Sequence, residues 1–72
     1  MRYLAESDVT KKLGLRIIEL RKVKNISQAD LCYDIDIDIS TLSRLERGIL
    51  NPTLQTIYKI AKYFKLEIKD LF

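Results

Sequence analysis

The sequence predicts an all-α fold, a compact bundle of five short helices with two of them joined by a tight turn at its centre. Three observations carry this. Apolar residues recur at three- and four-residue steps along most of the 72-residue chain. Residues that start helices stand before each such segment. The one stretch that alternates strictly, Ile35-Asp36-Ile37-Asp38-Ile39, stands alone, so a strand there has no partner to pair with.

The elements follow in order. Met1 to Ser7 carry little pattern, and residues 1–8 read as an N-terminal extension to a single domain, 1–72, whose core is 9–72. Ser7 or Asp8 is placed to cap a first helix running to about Lys24, with Leu13, Ile17 and Leu20 on its buried face. Gly14 inside that helix costs about 1 kcal/mol relative to alanine. A neighbouring backbone at close range is a sufficient reason for it. Asn25 breaks the pattern, and Ser27 caps a second helix with Asp30 three residues on, favourable to the helix dipole.

Leu31, Cys32 and Ile35 form the buried side of the second helix. Asp36 and Asp38 suit a turn and an N-cap, so the alternating isoleucines read as the end of one helix and the start of the next. The third helix runs from about Ile39 to Arg47 and stops at Gly48, with Leu42 and Leu45 inward. Ser40, Arg44 and Arg47 step by four and three along its outside, flanked by Thr41 and Ser43. Asn51-Pro52-Thr53 marks a loop and a fourth helix start, followed by the stripe Ile57, Ile60, Ala61, Phe64. Leu66, Ile68, Leu71 and Phe72 close the chain in a short fifth helix from about Glu67.

Composition narrows the function. At this length roughly 60% of the unfolded surface is buried on folding, so a partner surface helps. The chain has one cysteine and no histidine. Cys32 therefore forms no internal disulfide and reads as a small core residue, and no metal site or cofactor is expected. Histidine acid–base chemistry is unavailable, and no constellation points to an enzyme or to a small-molecule ligand. No apolar run spans a membrane or resembles a signal peptide, so a cytoplasmic location is expected. The net charge of +3 is unevenly spread. Lys11, Lys12, Arg16, Arg21, Lys22 and Lys24 crowd the first third; Lys59, Lys62, Lys65 and Lys69 the last. Between Lys24 and Arg44 there are four aspartates, Asp30, Asp34, Asp36 and Asp38, and no basic residue.

Two short helices on a tight turn, the second presenting hydroxyls and guanidinium groups, are the parts of a helix-turn-helix DNA reader. The ordered set Arg21, Ser27-Gln28, Leu31, Ser43-Arg44, Glu46-Arg47-Gly48, Pro52 and the fourth-helix stripe resembles the phage-repressor/Cro-type helix-turn-helix family, the XRE-like regulators, from about Leu13 to Phe72. That resemblance implies a lambda-repressor-like DNA-binding domain of the compact kind found in small phage repressors, restriction–modification controllers and antitoxin-type regulators.

The resemblance also implies roles for individual residues. Ile39, Ser40, Thr41 and Arg44 would read bases in the major groove, Arg44 by forking onto guanine, which discriminates by about 1–3 kcal/mol. Ser27, Gln28, Ser43, Arg47 and Asn51 would meet phosphates. Arg21 and Glu46 would form an internal ion pair. The partner is double-stranded DNA, bound by a homodimer whose interface is expected at Leu66, Ile68, Leu71 and Phe72. Three positions depart from the family: Asp36 stands where glycine is usual, Cys32 where alanine is, and Ile39 in a slot often polar. The competing reading is a helical protein-interaction module that keeps the fold, is weak on DNA, and uses the acidic centre as its contact surface. Asp38 is expected to cap the third helix, and Asp34 to pair with a lysine of the first.

Overall fold

The computed structural model describes residues 6–72. They form four α-helices: α1, Glu6–Lys24; α2, Gln28–Ile35; α3, Ile39–Glu46; and α4, Leu54–Tyr63. A single 3-10 turn, Ile68–Leu71, follows. No strand occurs among the described residues, so Ile35 to Ile39 form a helix end, a turn and a helix start. The expected fifth helix is corrected to that 3-10 turn. Four residues are too few for an α-helix to propagate past its nucleus, and the Asp70 carboxylate accepts from the Glu67 amide at 3.1 Å to close the turn.

Ser7 and Asp8 lie inside α1 and are not its caps, a correction to the expected start; the proposed extension, 1–8, falls largely outside the described residues. α1 packs across α3, α2 packs on α3 and α4, and the terminal turn fills the space between α1 and α4. Leu13, Ile17, Leu31, Leu42, Leu45, Ile60 and Leu71 are fully buried where these elements meet.

All four α-helices end the same way. Asn25, Asp36, Gly48 and Lys65 take positive φ of 55°, 57°, 74° and 58°. The next residue's amide then reaches back five positions, as Ile26 to Arg21, Ile37 to Cys32, Ile49 to Arg44 and Leu66 to Ala61, at 2.9–3.1 Å. This is the left-handed closure that satisfies orphan carbonyls and tucks in the hydrophobic residue that follows. Ile26, Ile37 and Leu66 do pack against the core; Ile49 stays exposed. Only one of the four positions is glycine. Aspartate and asparagine tolerate this conformation better than most residues.

Candidate nucleic-acid interface

α3 is held from one end. A carboxylate at its last position, Glu46, is 8% exposed and would be costly to bury alone. The Arg21 guanidinium from α1 meets it as a fork, Nε to Oε2 at 2.5 Å and Nη2 to Oε1 at 2.9 Å. Arg21 Nη1 also donates to the Ile26 carbonyl at 3.1 Å, and Gln28 Nε2 donates to Glu46 Oε1 at 2.8 Å. One carboxylate thus joins α1, the start of α2 and the end of α3, and the same guanidinium holds the loop at Ile26. Donation to the Glu46 carboxylate raises the Arg21 guanidinium above its already high range.

Close approach reinforces the same end. A Cβ on Gly14 would sit 2.5 Å from the Leu45 carbonyl oxygen and 2.6 Å from that of Glu46. Only glycine lets the α1 backbone lie this near α3. The Thr10 hydroxyl donates to the Gly48 carbonyl at 3.0 Å, fastening the loop that follows. Among the described residues no buried side-chain polar atom lacks a partner.

The outer face of α3 is open. Ser40, Arg44 and Arg47 are exposed and lie in line, Thr41 and Ser43 are half-buried beside them, and Ile39 leaves 53% of its surface uncovered at the first turn. Arg47 leans back on its own helix, Nε to the Ser43 carbonyl at 3.4 Å. Asn51 is exposed in the loop beyond. The residues assigned to α2 are more occupied. The Ser27 hydroxyl accepts from the Asp30 amide at 3.0 Å while the Ser27 amide donates to Asp30 Oδ2 at 3.3 Å, a full capping box. Gln28 spends one amide hydrogen on Glu46. Its link to a residue 18 positions away had no signal in local pattern or periodicity.

Three expectations are corrected by the geometry. Asp38 is the residue before α3 in extended conformation, but its side chain accepts no capping bond; its charge is left at the end of α3 that carries Ile39. Asp34 stands by the Tyr63 hydroxyl of α4 and not by a lysine of α1; desolvation and then Asp34 push that hydroxyl above its usual range. Leu71 is 0% exposed and belongs to the core of the monomer, so it offers nothing to a second subunit. Of the other expected dimer residues Leu66 is half-buried, while Ile68 and Phe72 are exposed. Sequence reasoning missed Leu54 and Tyr58, which add exposed apolar surface on α4; Tyr58 and Ile68 rim one open groove. Their signal was available, as apolar residues outside the stripe that faces the core.

No helix among the described residues is long and apolar enough to cross a membrane. No group of three or more acidic or cysteine side chains among them is arranged to hold a metal ion.

Comparison with known proteins agrees with this geometry. The family described as Helix-turn-helix matches residues 17–71. A protein of Archaeoglobus fulgidus described as an uncharacterized HTH-type transcriptional regulator is 39% identical over 57 residues, 79% of this chain and 80% of that protein. The control protein C.BamHI of Bacillus amyloliquefaciens is 36% identical over 59 residues, 81% of this chain and 73% of its own. In three dimensions the chain is similar to the restriction-modification controller protein C.AhdI from Aeromonas hydrophila, with a TM-score of 0.84 and 35% identity, covering 90% of this chain and 98% of that one.

Proposed function

Because this chain belongs to the helix-turn-helix family of transcriptional regulators, we propose that it reads double-stranded DNA sequence-specifically, as a homodimer on a palindromic operator, with α3 in the major groove. The observation that carries this reading is the division of α3. Its inner face is locked by Leu42, Leu45 and the buried Glu46, while Ser40 and Arg44 project from the other side into open solvent. A helix anchored on a rigid frame with polar side chains outward is what base readout requires.

Ile39, Ser40, Thr41 and Arg44 are the proposed base readers, with Arg44 the strongest through its guanidinium fork. Ser43, Arg47 and Asn51 meet phosphates on the far side. Ser27 and Gln28 act at the near side through what their internal bonds leave over, the backbone amides at the start of α2 and the second hydrogen of the Gln28 amide. The dimer surface is Leu66, Ile68 and Phe72, extended by Leu54 and Tyr58. Two copies would set their α3 helices about 34 Å apart, in successive grooves. Likeness to the controller C.AhdI over nearly all of that chain supports a regulator of that compact type.

The test is selection of bound duplexes from a random DNA pool, followed by titration of the recovered sequence at fixed salt. The expected result is a two-fold symmetric site with half-sites one helical turn apart. Arg44→Ala should flatten sequence preference while general binding falls only slightly. Recovery of no enriched sequence at low salt would leave the fold serving a protein partner instead.

A further inference from the structure

α1 does more than support α3. Thr10, Gly14, Ile17 and Arg21 step by four, three and four along one face of α1. Each of the three polar or small members has a fixed contact on α3 or the loop after it: Thr10 on the Gly48 carbonyl, Gly14 against the Leu45 and Glu46 carbonyls, Arg21 on Glu46. The register between α1 and the C-terminal end of α3 is therefore set at three points. Lys11 is carried with it. A Cβ on Gly48 would lie 2.8 Å from the Lys11 Cα and 2.9 Å from its Cγ, so the lysine stem runs directly across Gly48. Lys11 is exposed, and its stem crosses the chain at Gly48, in the loop that runs from Arg47 to Asn51. Lys12, the next residue, lies on another side of α1, in a groove with Leu15, Arg16, Leu71 and Phe72.

We infer that Lys11 is a DNA-phosphate contact, an α1 cation that joins Arg47 at the C-terminal end of the recognition helix; the inference rests on the proposed DNA-binding reading. Charge distribution favours this end. The N-terminal approach to α3 carries Asp36 and Asp38, the latter with its charge unspent on capping, and these repel the phosphates they meet. The opposite end carries Arg44 and Arg47 and, through the Gly48 crossing, Lys11. A lysine ammonium on a flexible stem suits such a contact, being a point charge that seeks a phosphate without reading a base. Glycine at position 48 is needed both for its positive φ and to let that stem pass. The contact joins residues far apart in the chain, beside the bond from Thr10 to Gly48, so no local motif announces it.

The experiment compares wild type, Lys11→Ala and Lys12→Ala by anisotropy on two duplexes, the selected site and a scrambled duplex of the same length, from about 50 to 200 mM salt. Both substitutions lie on exposed helix positions and favour helix, and circular dichroism checks that they do. Lys11→Ala should lower the magnitude of the slope of log affinity against log salt by about 0.9, the value of one phosphate contact on duplex DNA. The loss should be the same on both duplexes. Lys12→Ala should leave the slope as in wild type. A slope unchanged in Lys11→Ala overturns the inference, and so does an equal fall in both variants, which would report only the general field of the basic helix. Absence of wild-type binding to either duplex at low salt would instead remove the DNA reading itself, and the inference with it.

Discussion

α2 and α3 are eight-residue helices that end alike and begin differently. Both close with a left-handed residue, Asp36 or Gly48, and a backbone bond of 3.1 Å reaching back to Cys32 or Arg44. At the start of α2, Ser27 and Asp30 satisfy each other's amides in a capping box. At the start of α3, Asp38 has the extended backbone of a cap but makes no side-chain bond. The first amides of a helix have no partner within it, so α3 keeps unspent donors and an unspent carboxylate at the end that precedes Ile39. α2 is fastened at both ends by its own residues. α3 is fastened at its C-terminal end, by α1, and its N-terminal end has no side-chain cap. One helix is therefore tied down at one end only, with its outer face left open along its length.

The largest effect should come from undoing the fastened end. Glu46→Ala removes the acceptor for two Arg21 nitrogens and for Gln28. It leaves a guanidinium whose side chain is only 16% exposed without its counter-charge. Breaking a pair of this kind costs on the order of 3–5 kcal/mol. In a domain of this size each kcal/mol shifts the melting midpoint by about 4–8 °C. A thermal melt should therefore fall by more than about 10 °C. A loss under about 1 kcal/mol would mean that α3 is not held from this end.

A matched pair then tests the two starts directly. Ser27→Ala should cost about 1 kcal/mol, since it removes a working cap. Asp38→Ala removes no cap bond, only a screened interaction with the helix dipole, and should stay within about 0.5 kcal/mol by urea denaturation. Its effect should appear on DNA, where loss of a negative charge tightens binding. Equal destabilisation by the two substitutions would erase the distinction between the helix starts. Asp36→Gly belongs with this pair. It relieves a left-handed aspartate, φ 57°, but it also frees the unfolded chain by about 0.5–1 kcal/mol. The two nearly cancel, so folding stability should hardly move. DNA affinity at fixed salt should rise, and an unchanged or weaker affinity would count against a charge penalty from the turn.

The contrast also explains what could be read from the sequence. Ser27 with Asp30, the stripe from Ile57 to Phe64, and the stops at Asn25 and Gly48 are local signals, and each rests on interactions within a turn or two of chain. Gly14 could be read as a site of close approach, though not of approach to which backbone. What stayed hidden was set by distant residues: Gln28 on Glu46, Thr10 on Gly48, and Leu71 drawn wholly into the core. Asp38 shows the other limit. Its residue type and position are those of a cap, and whether the carboxylate turns to the amides is a rotamer choice that spacing does not record. The expected terminal helix is a single 3-10 turn, closed by Asp70 on the Glu67 amide, because Leu71 is drawn into the core beside it.

Cys32 supports the smallest of the predicted effects. The thiol is in α2, buried with Leu31 and Ile35. Burial first, then the carboxylates of Glu46 and Asp38, push it above the ordinary thiol range, with Arg21 opposing. A raised folded-state value means the folded protein holds this proton more tightly than the unfolded chain. The resulting stability is fully present below the ordinary thiol value of about 9.0 and is lost as pH climbs through the folded value. The midpoint can be followed by thiolate absorbance in the native protein. In Asp38→Ala it should move down, because one carboxylate that disfavours the thiolate is gone. It should nevertheless stay above that of a free thiol, because burial is the larger cause. A midpoint at the free-thiol value in wild type would show that α2 is not the closed helix described above. A midpoint unmoved in Asp38→Ala would show that the aspartate's charge lies turned away from α2, wholly toward the groove side of α3.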